Sequence, residues 1–383
     1  MTIAQASASN GLFDRFAKLN WAIITVLCIL AFIGVAMHFS ESTDAGGAWT
    51  NMPLTHGLRF LSLLVLMLAM AMFVEPRFWL AIAYPLYGGA LILLLGVAAI
   101  GETRLGATRW LDVGPVTLQP SELMKIGLVL ALARYYHQLD PRKTGAILWT
   151  IPPFIMIGLP AAFIMKQPDL GTAMLIVFSG IMVMFLAGLL WRVIVAGAIV
   201  GVSGAVFAYN YLLHGYQRNR IDVFIGATDD PLGAGYHVLQ SKIAIGSAGL
   251  LGRGYLQGTQ SQLDFLPEKH TDFIFTMIVE EFGLVGGAFV LALFGCLMWF
   301  SLQVAMRARS QFGRLVAAGV AATLASYVFI NTAMVIGLVP VVGVPLPMIS
   351  FGGTAMTTLM AGFAIVLSID LHREQHGTRG LLW

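Results

Sequence analysis

Between Gln260 and Phe273 the chain gathers Asp264, Glu268 and Asp272 beside Lys269 and His270. Glu280 and Glu281 follow shortly after, inside an apolar run. Only 11% of the residues are charged, so this stretch holds a large share of the ionisable groups. A carboxylate whose pKa is raised by apolar surroundings can take the proton of a sugar hydroxyl as that hydroxyl attacks. Asp272 is the candidate for that task. The competing reading is a carboxylate at a helix start, placed to favour the helix dipole. If a helix begins there, Asp272, Thr276 and Glu280 share one face, with Glu280 about 12 Å deeper. Glutamates at membrane depth mark either a functional site or a pair with a Lys or Arg that holds helices together. Asp264 and Glu268 sit in the loop, where Pro267 argues against a continuous helix. Glu268 and Lys269 also read as solvated, and His270 reads as a loop hydrogen bonder before a metal ligand.

A second group lies at Gln119-Pro120-Ser121-Glu122-Leu123-Met124-Lys125. Glu122 and Lys125 are three apart and share a helix face, so they either pair with each other or line a cavity. In the cavity reading, Lys125 and Arg109 are partners for a phosphate group. Lys166-Gln167-Pro168-Asp169-Leu170-Gly171 adds a third charged corner, in which Asp169 caps a helix or contacts substrate.

The elements that must position these residues are membrane spans. The chain of 383 residues is 58% hydrophobic, with mean hydropathy +0.82. A soluble domain carries roughly a quarter charged residues, so the fold class is an all-α polytopic membrane protein. Apolar runs of roughly twenty residues fall at 20–38, 58–74, 78–100, 121–137, 146–165, 170–188, 191–212, 272–302, 315–339 and 352–370. They predict about ten spans, with Pro152, Pro153 and Pro160 bending the fifth. The run from Trp21 to about Met37 is read as an uncleaved first helix.

Basic residues set the orientation. With a cytoplasmic N-terminus, Arg15, Lys18, Arg77, Arg134, Arg142, Lys143, Arg192 and most later arginines share one side. Arg59, Arg104, Arg109, Lys125 and Lys166 fall on the other. The positive-inside rule then puts both termini in the cytoplasm. Residues 213–271 form one long external loop between the seventh and eighth spans, within which Tyr236 to about Ser247 reads as an amphipathic helix at the membrane surface. Residues 101–120 form a second polar external loop. Cys28 and Cys296 lie in apolar runs without metal or disulfide spacing. No Walker loop, dinucleotide fingerprint, His-Glu-x-x-His or nucleophile elbow occurs, which disfavours nucleotide-driven chemistry.

Leu266 to Phe273, with Glu280-Glu281-Phe282-Gly283 behind it, resembles the SEDS family (shape, elongation, division and sporulation). So do Gln119 to Lys125, Gln167 to Thr172, and Pro347-Met348-Ile349-Ser350-Phe351-Gly352-Gly353. Gly258 to Leu263 and the short N-terminus are most similar to its elongation branch. The resemblance implies a single integral membrane domain over 1–383 that polymerises lipid II outside the cytoplasmic membrane. It implies a class B penicillin-binding protein as partner and Asp272 as the catalytic carboxylate. Positive charge for the departing undecaprenyl pyrophosphate would come from Arg109, Lys125 or a divalent cation such as Mg, and Glu122 would orient Lys125 or bind sugar. Two other functions suit the same residues. A lipid II flippase would use Glu280 and Glu281 to line a path, and a scaffold would only hold the penicillin-binding protein.

Overall fold

The computed structural model describes residues 12–42, 51–100, 102–104, 107–113, 116–211, 215–224, 234–262 and 270–373. Helix α1 (Leu12–Ala17) leads into α2 (Trp21–Ser42), α3 (Met52–Phe73) and α4 (Pro76–Ile100). Strands β1 (Glu102–Arg104), β2 (Ala107–Val113) and β3 (Val116–Leu118) come next. Four helices follow: α5 (Pro120–Gln138), α6 (Ile147–Lys166), α7 (Leu170–Leu186) and α8 (Trp191–Tyr211). Shorter helices α9 (Gly215–Phe224), α10 (Ala234–Ala248) and α11 (Thr259–Gln262) precede α12 (Ile274–Arg307), α13 (Gln311–Val335) and α14 (Gly353–His372).

Each of the ten predicted apolar runs coincides with a helix, because in lipid a spanning backbone must satisfy its own hydrogen bonds. Among the described residues, eight helices are long and apolar enough to cross a membrane. The other two runs correspond to α5, which carries Glu122, Lys125 and Arg134, and to α7, which has 17 residues. The chain is a membrane-embedded helical protein. Its centre is α13 and α14, which are 83% and 72% buried across their most apolar stretches, whereas α8 is 0% buried. Residues placed on α13 and α14 are therefore the ones shielded from lipid.

Two features add to the expected spans. The helical fold also carries a small three-stranded antiparallel sheet, β1, β2 and β3, in the polar segment before α5. Two residues separate each pair of strands, the length of a tight hairpin connection, and Thr and Val recur along them. Within residues 213–271 the helix expected from Tyr236 to about Ser247 is α10. Helix α10 packs on α12 and α13, burying Ser241 and Ala244 and leaving Leu239 and Ile243 exposed.

The prolines inside helices show how the bundle closes. Proline removes one helical N–H and strands the carbonyl four residues earlier. Pro153 and Pro160 interrupt α6. The Tyr135 hydroxyl donates to the Trp149 carbonyl (2.8 Å) and the Tyr87 hydroxyl to that of Met156 (3.0 Å). Pro85 interrupts α4, and Arg134 Nη1 donates to the Ala81 carbonyl (2.9 Å). These side chains supply donors to carbonyls that the prolines leave without a helical N–H.

Candidate active site

The 270–272 segment lies against an irregular stretch, residues 336–352, that joins α13 to α14. Residues 346–350 are buried although they form no helix or strand. Non-helical backbone at depth is tolerated where protein supplies its hydrogen bonds, and here α13 and the stretch itself supply them. Asn331 Nδ2 donates to the carbonyls of Asp272 (2.9 Å) and Val344 (2.7 Å). Ser350 Oγ donates to the Thr271 carbonyl (2.6 Å) and accepts from Leu346 N (2.7 Å). Phe351 N donates to the His270 carbonyl (2.8 Å). Three consecutive carbonyls, 270 to 272, are thus tied to α13 and to the turn before α14. Asp272 is half-buried, and its Oδ2 faces Gly343, where a Cβ would stand 3.3 Å away.

Asp272 stands one residue before the N-cap of α12. Helix α12 begins at Ile274, its N-cap position is Phe273, and no side chain caps it. Asp272 lies in the turn before the helix, where Asn331 and Ser350 hold the carbonyls of residues 272 and 271. The shared helical face therefore starts at Thr276, whose hydroxyl meets Ser241 Oγ at 2.7 Å.

Glu280 and Glu281 are not simply deeper along a straight span. Gly283 has φ 69° and ψ −167°, which breaks the helix there and suits a residue without Cβ. In a regular helix Leu284 N and Val285 N would donate to the Glu280 and Glu281 carbonyls. Instead Arg253 N (2.9 Å) and Gly254 N (3.0 Å) take those carbonyls, while Leu284 N (3.1 Å) and Val285 N (3.2 Å) turn to the carbonyls of Gly249 and Leu250. The 249–254 turn is spliced into the helix ladder by this exchange. Glu280 Oε1 accepts from Gln260 N (2.7 Å) and Thr259 Oγ1 (3.3 Å), anchoring α11, and Glu281 Oε1 accepts from Ser40 Oγ. The Tyr255 hydroxyl, held above its ordinary pKa by burial and then by the Glu281 carboxylate, donates to the Ala36 carbonyl (2.8 Å). Both glutamates thus bind the 249–260 segment to α2 and α12.

Glu122 and Lys125 do pair. Lys125 Nζ donates to Glu122 Oε1 at 2.7 Å and also contacts the Tyr327 hydroxyl. Glu122 Oε2 accepts from Thr358 Oγ1 (2.6 Å) and from the Tyr327 hydroxyl (3.2 Å). Three helices, α5, α13 and α14, meet in this buried network. Arg109, on β2, donates to the carbonyls of Gln167 (3.4 Å) and Pro168, and lies 3.7 Å from Asp169 Oδ2. Asp169 caps α7 by accepting from Thr172 N (3.1 Å). Arg109 therefore fastens the sheet to the α6–α7 turn. Asp264 and Glu268 lie outside the described residues.

Sequence reasoning missed Tyr327, Asn331, Ser350 and Thr358. Tyr327 and Asn331 are marked only by polar spacing on an apolar helix, Thr323, Tyr327 and Asn331 recurring every four residues along α13, while Ser350 lies in the Pro347–Gly353 motif outside any helix.

Comparison with known proteins agrees with this architecture. A cell cycle protein family model, that of FtsW, RodA and SpoVE, matches residues 20–375. The chain is 47% identical over 315 residues to peptidoglycan glycosyltransferase MrdB of Escherichia coli (strain K12), covering 81% of this chain and 83% of that one. It is 34% identical over 280 residues to stage V sporulation protein E of Bacillus subtilis (strain 168), covering 73% and 76%. Its fold matches a chain from a structure of a peptidoglycan synthase complex at TM-score 0.76 and 29% identity, covering 94% and 99%. It matches the crystal structure of Thermus thermophilus rod shape determining protein RodA at TM-score 0.68 and 26% identity, covering 93% and 97%. The four sequence motifs, the helical bundle that joins them and these matches agree: the chain belongs to the FtsW/RodA/SpoVE family, the SEDS proteins.

Proposed function

We propose that this protein is a peptidoglycan glycosyltransferase that polymerises lipid II for cell elongation and shape, with Asp272 as its general base. The observation that carries the reading is the cradle at residues 270–272. Three carbonyls are held by Asn331, Ser350 and Phe351, and this fixes a half-buried carboxylate at the edge of an irregular buried turn. A fixed carboxylate in partly apolar surroundings is what proton abstraction from a weakly acidic hydroxyl requires. The GlcNAc 4-hydroxyl of one lipid II loses its proton to Asp272 as its oxygen bonds to the anomeric carbon of the lipid-linked donor. The bond from that carbon to the pyrophosphate breaks with inversion, and undecaprenyl pyrophosphate leaves with the electron pair.

The leaving group needs positive charge nearby. Arg109 is the better placed of the two candidate cations, because 30% of its side chain is accessible against 1% for Lys125. Lys125 acts within the buried cluster, where it fixes Glu122 and Tyr327. Among the described residues no three His, Cys, Asp or Glu side chains are grouped to hold a metal ion. The site faces the external side of the cytoplasmic membrane, as the basic residues argue. The partner is a class B penicillin-binding protein that crosslinks the new strands, a reading supported by the likeness to a chain of a peptidoglycan synthase complex.

The test is gel-resolved polymerisation of labelled lipid II by the purified protein with its partner, with moenomycin present to silence classical glycosyltransferases. Long strands from wild type and none from folded Asp272→Ala support the reading. Equal product from both moves the base to another residue, with Asp264 and Glu268 next. No polymer from wild type together with transbilayer movement of lipid II would favour a flippase, and neither activity would favour a scaffold.

A further inference from the structure

The segment before α14 is held on one side by Asn331, at the Val344 carbonyl, and by Ser350, as described. On the other side stand two imidazoles from different helices, His38 on α2 and His56 on α3, both 0% exposed. His38 Nε2 lies 3.1 Å from the Ile349 carbonyl, and His56 Nε2 lies 2.9 Å from the Met348 carbonyl. A carbonyl only accepts, so each Nε2 carries the hydrogen. The two rings stand edge to face, with centroids 4.8 Å apart.

Two further features show that this contact shapes the chain. Gly34 sits one helical turn before His38, and a Cβ there would stand 2.9 Å from His56 Nε2 and from both the Met348 and Ile349 carbonyls. Helix α2 thus gives up a side chain where the carbonyls and the imidazole meet. Met348 has φ 65°, a left-handed conformation that a residue with Cβ keeps only where its surroundings hold it. Glu41 supplies a second connection: its carboxylate lies 3.7 Å from His38 Nδ1 and 3.3 Å from His270 Nδ1. His270 is two residues before Asp272.

We propose that His38 and His56 are positioning residues for the glycosyl transfer, a two-imidazole clamp that sets the Asp272 carboxylate through the 348–351 turn. The inference rests on the reading of Asp272 as the base. The route is short. The imidazoles hold the carbonyls of Met348 and Ile349, and the next two residues, Ser350 and Phe351, hold those of Thr271 and His270. The Phe351 ring is enclosed by the same group, with Arg59 Cζ 5.2 Å above it and the His38 ring 5.6 Å away. Packing alone needs only an apolar side chain of similar size at positions 38 and 56, so the requirement for an N–H donor separates the two roles.

The experiment measures lipid II polymerisation by the full chain with its partner for His38→Gln, His38→Met, His56→Gln and His56→Met, beside Asp272→Asn. Gln keeps an N–H near the Nε2 position, whereas Met fills similar volume without one. The clamp predicts that the Met variants lose about ten- to hundredfold in kcat at unchanged KM, as a misplaced catalytic group does. Gln should restore the rate to within about threefold of wild type, because the donor is retained. Folded Met variants with wild-type kcat, beside an inactive Asp272→Asn, overturn the clamp and leave the base intact. Activity in Asp272→Asn overturns the base and the clamp together. Should the Met variants not accumulate, Ser350→Ala cuts the link from the turn to Thr271 and should show the same loss in kcat, and wild-type kcat in folded Ser350→Ala overturns the clamp.

Discussion

The molecule holds its two principal carboxylates in opposite ways. Around Asp272 the backbone is tied down: the carbonyls of residues 270, 271 and 272 each have a donor from α13 or the turn before α14, and the residue is half-buried. Around Glu122 the side chain itself is tied down. Oε1 takes Lys125, Oε2 takes Thr358 and Tyr327, and the network sits where three helices meet. The difference teaches what each can do. A carboxylate whose oxygens are filled by an ammonium and two hydroxyls ties three helices together. At Asp272 the backbone contacts themselves set where the carboxylate stands, which is the positioning a general base requires.

The contrast can be broken first at its sealed end. Lys125→Met leaves Glu122 buried without its cation and should cost about 3–5 kcal/mol of stability. Combining it with Glu122→Gln should recover most of that loss, and thermal unfolding in detergent measures both. If the single variant melts with wild type, the cluster is not a sealed support. Second in size is Gly283→Ala, which puts a Cβ at φ 69° against the Leu250 carbonyl. We expect a loss of about 1–3 kcal/mol, with faster hydrogen exchange at Arg253 and Gly254, since their partners are the Glu280 and Glu281 carbonyls.

Asn331→Leu comes next. It removes the donor of the Asp272 and Val344 carbonyls, and should cost about 1–2 kcal/mol while lowering kcat more than stability. An unchanged kcat would detach the cradle from the chemistry. Smallest is Arg109→Lys. The lysine keeps the charge but loses the fork that spans the Gln167 and Pro168 carbonyls, so stability should drop by about 0.2–1 kcal/mol. A rise of KM for lipid II would mark contact with the pyrophosphate.

Much of this was legible in the sequence, and the reasons differ by element. Apolar runs of spanning length carry their own signal, so the long helices fell where expected. Glu122 and Lys125 were readable as a pair because three-residue spacing fixes them on one face. Asp169 was readable as a cap for a similar local reason. The frame around Asp272 was invisible because what fixes that residue is distant in the chain: Asn331 is 59 residues away. His38 and His56 were equally invisible, since their partners are backbone carbonyls some 300 residues later, and a carbonyl has no sequence signature. The splice at Gly283 left a faint trace in Gly249, Gly252 and Gly254, but glycines mark a turn without saying what it pairs with. The sheet before α5 was missed because its polar strands resemble a solvated loop.

The central claim is that Asp272 supplies the base and that its frame exists to hold it. The most direct measurement is the single-turnover polymerisation rate of Asp272→Asn against wild type, with both melting temperatures taken from the same preparations. The account predicts a rate lower by at least about a hundredfold with the melting temperature unchanged. A folded Asp272→Asn that builds strands at the wild-type rate would contradict it.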